Sequence, residues 1–464
     1  LRGLTELAPG GVSAAALLKA LEAQVRETGV RVHLSAGVEQ IGGHVGNFSA
    51  RLSTGETLDA GAIVLAMGAV PAAPDLPAER PKGLEIVSNG ELERRLAARE
   101  TVPGRVTFIG CVGSREGTAG CSRYCCTSTI GQALRLRRAG REVRVVSRDV
   151  RTFSRDAEEL FAQAAKEGVQ FFRYASDQPW NKAVSFEDGA VAFTDELLGA
   201  PLKLPTDLVV LAMALRPAEE TVSGQLKVAR SRDGFLLERH PKLGPAETAS
   251  AGIYLAGAVQ APKDVRDSVA QGLAAAAKAS ALLAKGSIDK EPLTARVDPA
   301  KCTGCMACVA VCPFHAIEQL GKVREGKVKI LDAVCMGCGT CAAQCNFNAI
   351  EMPYFTREQV LAQVDAALAE EPEEKVLVFA CNWCSYAGSD QAGIEKIQFP
   401  PSSRIIRTMC SARVEQSFVN RAFEKGAGAV VLTGCHLSDK GSDCHYNHAN
   451  QYTLKRFKMW SASL

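Results

Sequence analysis

From residue 13 to residue 28 apolar side chains recur every three or four positions and Gly29 closes the run, which predicts an amphipathic helix. Segments 31–34 and 48–52 predict short strands with a turn at Gly55, and the apolar run 62–67 predicts a buried strand ending at Gly68. Strand 106–110, helix 128–139 and strand 142–147 form a βαβ pattern, continued by helix 156–167, strand 169–174, a hairpin and strand 207–213. A strand at 252–256 leads towards an alanine-rich helix that reaches Ala284. Beyond residue 355 the pattern predicts an amphipathic helix over 356–370, an acidic linker at 370–374, strand 375–380, a further strand ending before Cys410, helix 414–424 and strand 429–433.

With 464 residues, 47% hydrophobic and 23% charged, the chain has the make-up of an ordinary globular protein of roughly three domains. A net charge of +3 leaves no footprint for nucleic acid or an anionic membrane. No apolar run reaches the roughly 18 residues of a membrane span, because Gln271, Gly272 and Lys278 interrupt the alanine-rich helix. No signal peptide is read, and since the sequence starts at Leu1 an upstream portion is expected. The 17 cysteines change the picture. An odd number in three groups argues against a disulfide framework and for thiolates kept reduced, so a cytoplasmic location is expected.

The densest group reads C-x2-C-x2-C-x3-C-P at Cys302, Cys305, Cys308, Cys312 and Pro313, and the spacing recurs without the proline at Cys335, Cys338, Cys341 and Cys345. Three close thiols wrap one face of a cubane, while the next turn carries the fourth away to the partner cluster. One 4Fe–4S cluster is therefore expected on Cys302, Cys305, Cys308 and Cys345, and another on Cys335, Cys338, Cys341 and Cys312. Zinc or disulfides would not explain two copies of a four-thiol run.

The βαβ unit departs from a nucleotide-binding one at its first turn. Glycines there normally let the backbone approach a pyrophosphate at the helix N-terminus. Here the turn is swollen, lacks G-x-G-x-x-G and holds Cys111, Cys121, Cys125 and Cys126. So dense a loop implies a third cluster where nicotinamide phosphates would lie, with structural core cysteines as the alternative. Segment 62–71, with Gly68 and Ala69 after the strand, resembles the exit from the second domain of two-dinucleotide-fold flavoproteins, Met67 standing in the threonine position. Residues 215–217 resemble a second such exit. Segment 252–260 resembles their late flavin motif, with Gly257 kept and Ala258 in the aspartate position. The helix opening after Lys263, through Val269, Ala270 and Gln271, would aim its N-terminal amides at the N1/O2 side of an isoalloxazine. Lys263 would then approach N5; a surface lysine is the alternative.

Phe108-Ile-Gly-Cys-Val-Gly-Ser-Arg115, Cys121-Ser-Arg-Tyr-Cys-Cys126 and Ala256-Gly-Ala-Val-Gln-Ala-Pro-Lys-Asp264, followed by the double ferredoxin run, resemble the A subunit of heterodisulfide reductase over roughly residues 30–352. The resemblance implies a thioredoxin-reductase-like FAD core, a cluster lodged in it on Cys111, Cys121, Cys125 and Cys126, Lys263 near the flavin as a catalytic residue, and appended ferredoxin modules. Two features depart from the family. Its phosphate-binding G-x-G-x-x-G has no counterpart here and is expected upstream or from another chain. Its inserted ferredoxin module before the first exit strand is absent.

In the last domain three strand ends deliver cysteine to one edge of a small α/β sheet, where such folds place ligands. The stretch from Cys381-Asn-Trp-Cys384 through Cys410 and Cys435 to Cys444 resembles the delta subunit of methyl-viologen-reducing hydrogenase, which implies a 2Fe–2S centre. Five cysteines compete for four positions, His436 or His445 stands as ligand or support, and zinc is the alternative metal.

The expected fold class is α/β: an FAD domain over 1–100, incomplete at its N-terminus, a nicotinamide-type domain with the cysteine loop over 101–220, and an FAD-domain return over 221–288. A ferredoxin module of α+β type over 289–355, a linker helix over 356–373 and the small 2Fe–2S domain over 374–464 complete it. By resemblance the chain is an oxidoreductase, an electron-transfer subunit carrying FAD, three 4Fe–4S clusters and one 2Fe–2S centre. Flavin-based bifurcation or confurcation would link a hydrogenase or formate dehydrogenase to ferredoxin and a disulfide-type acceptor. Subunits like heterodisulfide reductase B and C are the implied partners, with a dimer of the complex as an option. A non-bifurcating conduit of the quinone-interacting membrane-bound oxidoreductase kind, an NAD(P)H-oxidising flavoprotein and a flavin-free cluster wire are the alternatives. The missing phosphate glycines weigh against NAD(P)H.

Overall fold

The computed structural model describes residues 4–8, 10–74, 76, 81–218, 221–289, 292–438 and 441–461. Its largest sheet has five parallel strands in the order Gln170–Arg173, Glu142–Ser147, Arg105–Val112, Leu208–Met213 and Glu85–Ser88. Every residue of Leu208–Met213 is buried, as a parallel strand covered on both faces requires. Val106 and Phe108 pack under Ile130 and Leu134 of helix Tyr124–Arg138, while Ile109 and Val146 meet Tyr174 and Trp180 on the other face. The expected hairpin is a three-stranded meander, Val184–Glu187, Ala190–Asp195 and Ala200–Pro205.

The strand expected at 62–67 is Ile63–Leu65 and pairs in parallel with Ile253–Leu255. The two exit segments find each other: Ala69–Pro71 and Leu215–Pro217 pair antiparallel as a ribbon between the two α/β units. Segment 31–34 is not the strand its alternation suggests, since Val32 and Leu34 are 60% and 80% exposed. No strand of the described residues lies beside it to supply hydrogen bonds or an apolar face.

The ferredoxin module pairs two short helices, Ala307–Val311 and Thr340–Gln344, with the ribbons Ile317–Leu320 against Lys327–Ile330 and Arg296–Val297 against Ile350–Glu351. The last sheet is parallel, in the order Ser403–Thr408, Val376–Cys381, Ala429–Thr433. The helix expected as a linker belongs to this unit. Arg357–Ala367 is held by a capping box between Thr356 and Gln359, and Val360 and Val364 are buried among Leu377, Phe379 and Phe418. The ferredoxin module and the last unit also share one core, in which Phe314, Met352 and Phe355 lie with Met409, Ala412 and Tyr446. Among the described residues no helix is long and apolar enough to cross a membrane.

Candidate iron–sulfur and flavin sites

Two cavities in the ferredoxin module are each lined by four cysteines. Cys302, Cys305, Cys308 and Cys345 line the first; Cys312, Cys335, Cys338 and Cys341 line the second. The backbone explains the exchange. Met306 and Gly339, at φ 61° and 79°, start the short helices that raise the third thiol of each run. Each helix stops before the fourth cysteine, whose extended backbone turns it towards the other cavity. Cys312 Sγ accepts from Ala316 N and Cys345 Sγ from Ala349 N, both at 3.3 Å, a matched pair of contacts in the two runs. Burial pushes the Cys308 thiol up to about 11 and Cys338 up to about 12. Thiols this poorly solvated ionise only beside a cationic centre, and four sulfur donors around each cavity fit an iron–sulfur cluster.

In the nicotinamide-type unit the strand carries on through Cys111, at φ 61°, to Val112. Helix Tyr124–Arg138 begins four residues before the expected start, so Cys125 and Cys126 sit in its first turn rather than in a loop. Arg123, at φ 58°, makes the bend that allows this. Cys125 hydrogen-bonds to the Cys126 sulfur, drawing Cys126 down to about 7, and the charges of Cys111, Cys121 and Cys126 all bear on Cys125. Backbone N–H groups of Arg148 and Arg151 donate to Cys111 and Cys126, and Arg123 N to Cys121 Sγ at 3.5 Å. The four thiols thus gather at the carboxyl edge of the sheet and fit a cluster as donors.

On the flavin-type side Gly68 and Gly257 take positive φ of 75° and 74° where the paired strands end; Ala69 opens the ribbon and Ala258 lies in a single 3-10 turn. Asp264 caps helix Val265–Lys285 by accepting from Asp267 N at 2.8 Å. The Lys263 ammonium donates to Gly257 O at 3.1 Å, Gln260 Oε1 at 2.7 Å and Ala261 O at 3.2 Å, and burial lowers it to about 8. Gln271 donates to Pro245 O at 3.0 Å, whereas Val269 and Ala270 are exposed. Arg123, from the cysteine-bearing turn, lies 3.7 Å from Asp267, so this helix end and that turn are neighbours.

In the last unit Cys381 ends its strand, and Cys410 and Cys435 each follow two residues after theirs. Sulfurs of Cys381, Cys384 and Cys435 lie within 4.8 Å of one another, Cys384 and Cys435 at 3.4 Å, and Cys410 and Cys444 at 4.0 Å. Hydrogen bonds from Cys410 and Cys435 hold the Cys381 thiol far below the usual range. His436 is turned to Asp443 at 3.2 Å on the surface, and the His445 ring stacks on Trp383 at 3.5 Å while its backbone N–H donates to Cys435. Cys410 also feels the charge of Cys338, across the shared core. Two buried cations at this seam, Arg413 and Arg456, carried no signal in the sequence, because only the fold brings them together.

Residues 294–346 match the family model of a 4Fe–4S dicluster domain, and residues 376–464 that of the methyl-viologen-reducing hydrogenase delta subunit. Over 394 residues the chain is 38% identical to the ferredoxin:CoB-CoM heterodisulfide reductase A subunit of Methanosarcina mazei, covering 80% of this chain and 48% of that one. The chain is heterodisulfide reductase A-subunit-like. To the H2:CoB-CoM heterodisulfide,ferredoxin reductase A subunit of Methanothermobacter marburgensis it is 40% identical over 285 residues, 59% of this chain and 42% of that one. This A-subunit-like chain spans about half the length, or less, of the curated relatives it matches. Thioredoxin reductase from Lactococcus lactis superposes with a TM-score of 0.42 at 18% identity, covering 61% of this chain and 86% of that one.

Proposed function

We propose that the protein is an iron–sulfur flavoprotein oxidoreductase subunit that conducts electrons inside a heterodisulfide-reductase-like complex. The observation that carries this reading is the continuity of its thiol sites: Cys410 shares one core with Cys338 and feels its charge, and Cys338 shares a cavity with Cys312. The Cys312 carbonyl in turn accepts from Lys227 of the flavin-type return at 3.1 Å. The two ferredoxin cavities and the Cys111, Cys121, Cys125 and Cys126 turn would hold 4Fe–4S clusters, and four of the five C-terminal cysteines a 2Fe–2S centre. These groups supply one-electron chemistry and FAD exchanges one electron with two. The residues would supply the rest: backbone N–H groups would hold sulfur charge, and Lys263 with the N-terminal amides of helix Val265–Lys285 would favour negative charge at a flavin ring bound there.

The finer reading is bifurcation or confurcation between a hydrogenase or formate dehydrogenase and two acceptors, ferredoxin and a disulfide, with B- and C-type subunits alongside. The names of the relatives, which pair ferredoxin and H2 with CoB-CoM heterodisulfide, support it. Anaerobic purification of the complex tests both levels. About 14 iron atoms and one flavin per chain are expected; about eight with zinc present rejects the outlying sites. Crossed one-electron flavin potentials are expected for bifurcation, and uncrossed ones overturn it.

A further inference from the structure

Between the second ferredoxin cavity and the C-terminal thiols the protein buries more positive charge than it neutralises. Arg413, in the turn Ser411–Arg413 directly after Cys410, is 1% exposed and lies against Gly339, in the middle of the Cys338–Cys341 segment. Arg456, on the last helix Ala449–Trp460, is 8% exposed and packs on the same turn, donating from Nη2 to Ala412 O. The carboxylate built into this region is Glu415, and it is already shared between Arg413 Nη1 at 2.6 Å and Arg357 Nε at 2.7 Å. Buried guanidinium groups are kept only where something answers their charge and their N–H groups. Arg456 Nε and Nη1 and Arg413 Nε find no acceptor among the described residues. Arg456 bonds Ala412, two residues after Cys410, and Arg413 lies against Gly339, next to Cys338, so the two cations stand between the cysteines of the two sides of the seam.

We propose that Arg456, seconded by Arg413, is a positioning residue for the seam between two iron–sulfur sites: its unused N–H groups donate to cluster sulfur, and its charge favours the reduced state there. This rests on the reading of these cysteines as cluster ligands. Reduction adds one electron, taken from the titrant, and no proton, so a thiolate-ligated cluster becomes one unit more negative. A fixed cation beside it offsets that unit, and hydrogen bonds to sulfur act in the same direction. The seam site therefore takes up an electron more readily with Arg456 in place than without it.

The test is a redox titration with dithionite, followed by electron paramagnetic resonance and iron analysis, on the anaerobically purified full-length holoprotein. Wild type, Arg456→Met, Arg456→Lys and the exposed control Lys458→Met are compared. Arg456→Met is expected to keep its iron and to lower the reduced-to-oxidised ratio of one signal at fixed potential by roughly a hundredfold, the effect of a unit charge about 6 Å away at an effective dielectric of about 20. Arg456→Lys, which keeps the charge and loses the planar fork, is expected to fall between, and Lys458→Met to match wild type. Full iron with unmoved potentials in Arg456→Met overturns the proposal and leaves the arginine as packing. Should Arg456→Met shed iron, Arg456→Gln, which loses the charge and keeps a polar donor, takes its place, and full iron with unmoved potentials in it overturns the proposal equally. A wild-type protein with only about eight iron atoms sinks the underlying cluster assignment, and the proposal with it.

Discussion

Gly339→Ala meets two separate costs at one atom. Gly339 has φ +79°, and an L residue held in the left-handed region loses about 1–2 kcal/mol. The new Cβ would also lie 2.5 Å from Cδ, 2.9 Å from Cβ and 3.1 Å from Cγ of Arg413. Arg413 has no room to yield: Nη1 holds Glu415, Nη2 holds Phe355 O at 3.1 Å, and its guanidinium sits 5.0 Å over the Phe418 ring. Overpacking of this kind adds about 1–3 kcal/mol, for a total of about 2–5 kcal/mol. Gly286→Ala is the matched control, since Gly286 has φ +65° with nothing within 4 Å of its Cβ, and it should lose about 1–2 kcal/mol only. Hydrogen exchange read by mass spectrometry reports local opening at 337–345 and at 280–286 in the same protein. Gly339→Ala should also release about four iron atoms per chain under the cluster assignment. Equal losses of protection in the two variants would refute the steric argument.

Cys125→Ala should remove one 4Fe–4S signal and leave the ferredoxin pair intact; a full set of signals would return that turn to an ordinary core role. Glu93 is buried and accepts from Thr5 N at 2.9 Å, Gln132 Nε2 at 2.8 Å and Arg135 Nη2 at 2.5 Å. Glu93→Gln should therefore cost about 1–3 kcal/mol, seen as faster hydrogen exchange at 4–8 and 124–138. Lys263 is lowered by burial from 10.5 to about 8, so below pH 8 the folded state carries the full penalty of a buried ammonium. Between pH 8 and 10.5 the unfolded chain binds more protons, and protection at 253–271 should rise with pH across that window. Lys263→Met should flatten the rise.

Regular spacing is what made much of the chain readable. The parallel strands Arg105–Val112, Glu142–Ser147 and Leu208–Met213 follow from unbroken apolar runs, and the convergence of Cys345 with Cys302, Cys305 and Cys308 in one cavity follows from the x3 step before the fourth thiol. Features that depend on a partner were not readable. Val32 and Leu34 alternate like a strand yet have no strand to pair with among the described residues, and Val360 and Val364 form the same i, i+4 stripe whether a helix bridges domains or belongs to one. The early start of helix Tyr124–Arg138 depends on a left-handed arginine, Arg123, where no glycine announces it. His436, open in the sequence as ligand or support, turns its Nδ1 to Asp443 at 3.2 Å, a contact that no spacing announces.

The shared core of the ferredoxin module and the C-terminal unit would change the order of any electron exchange between them. Phe314 and Tyr446 meet edge to face at 6.5 Å, and Asn447 Nδ2 donates to Pro313 O at 3.2 Å and to Lys227 O at 2.7 Å. Separate electron carriers must find each other, so their exchange is second order and falls with dilution, ionic strength and solvent viscosity. Any electron moving between the sites of Cys410 and Cys338 crosses a gap set by side-chain packing. That step is first order, and dilution or added viscogen would slow only the exchanges with partners outside the chain.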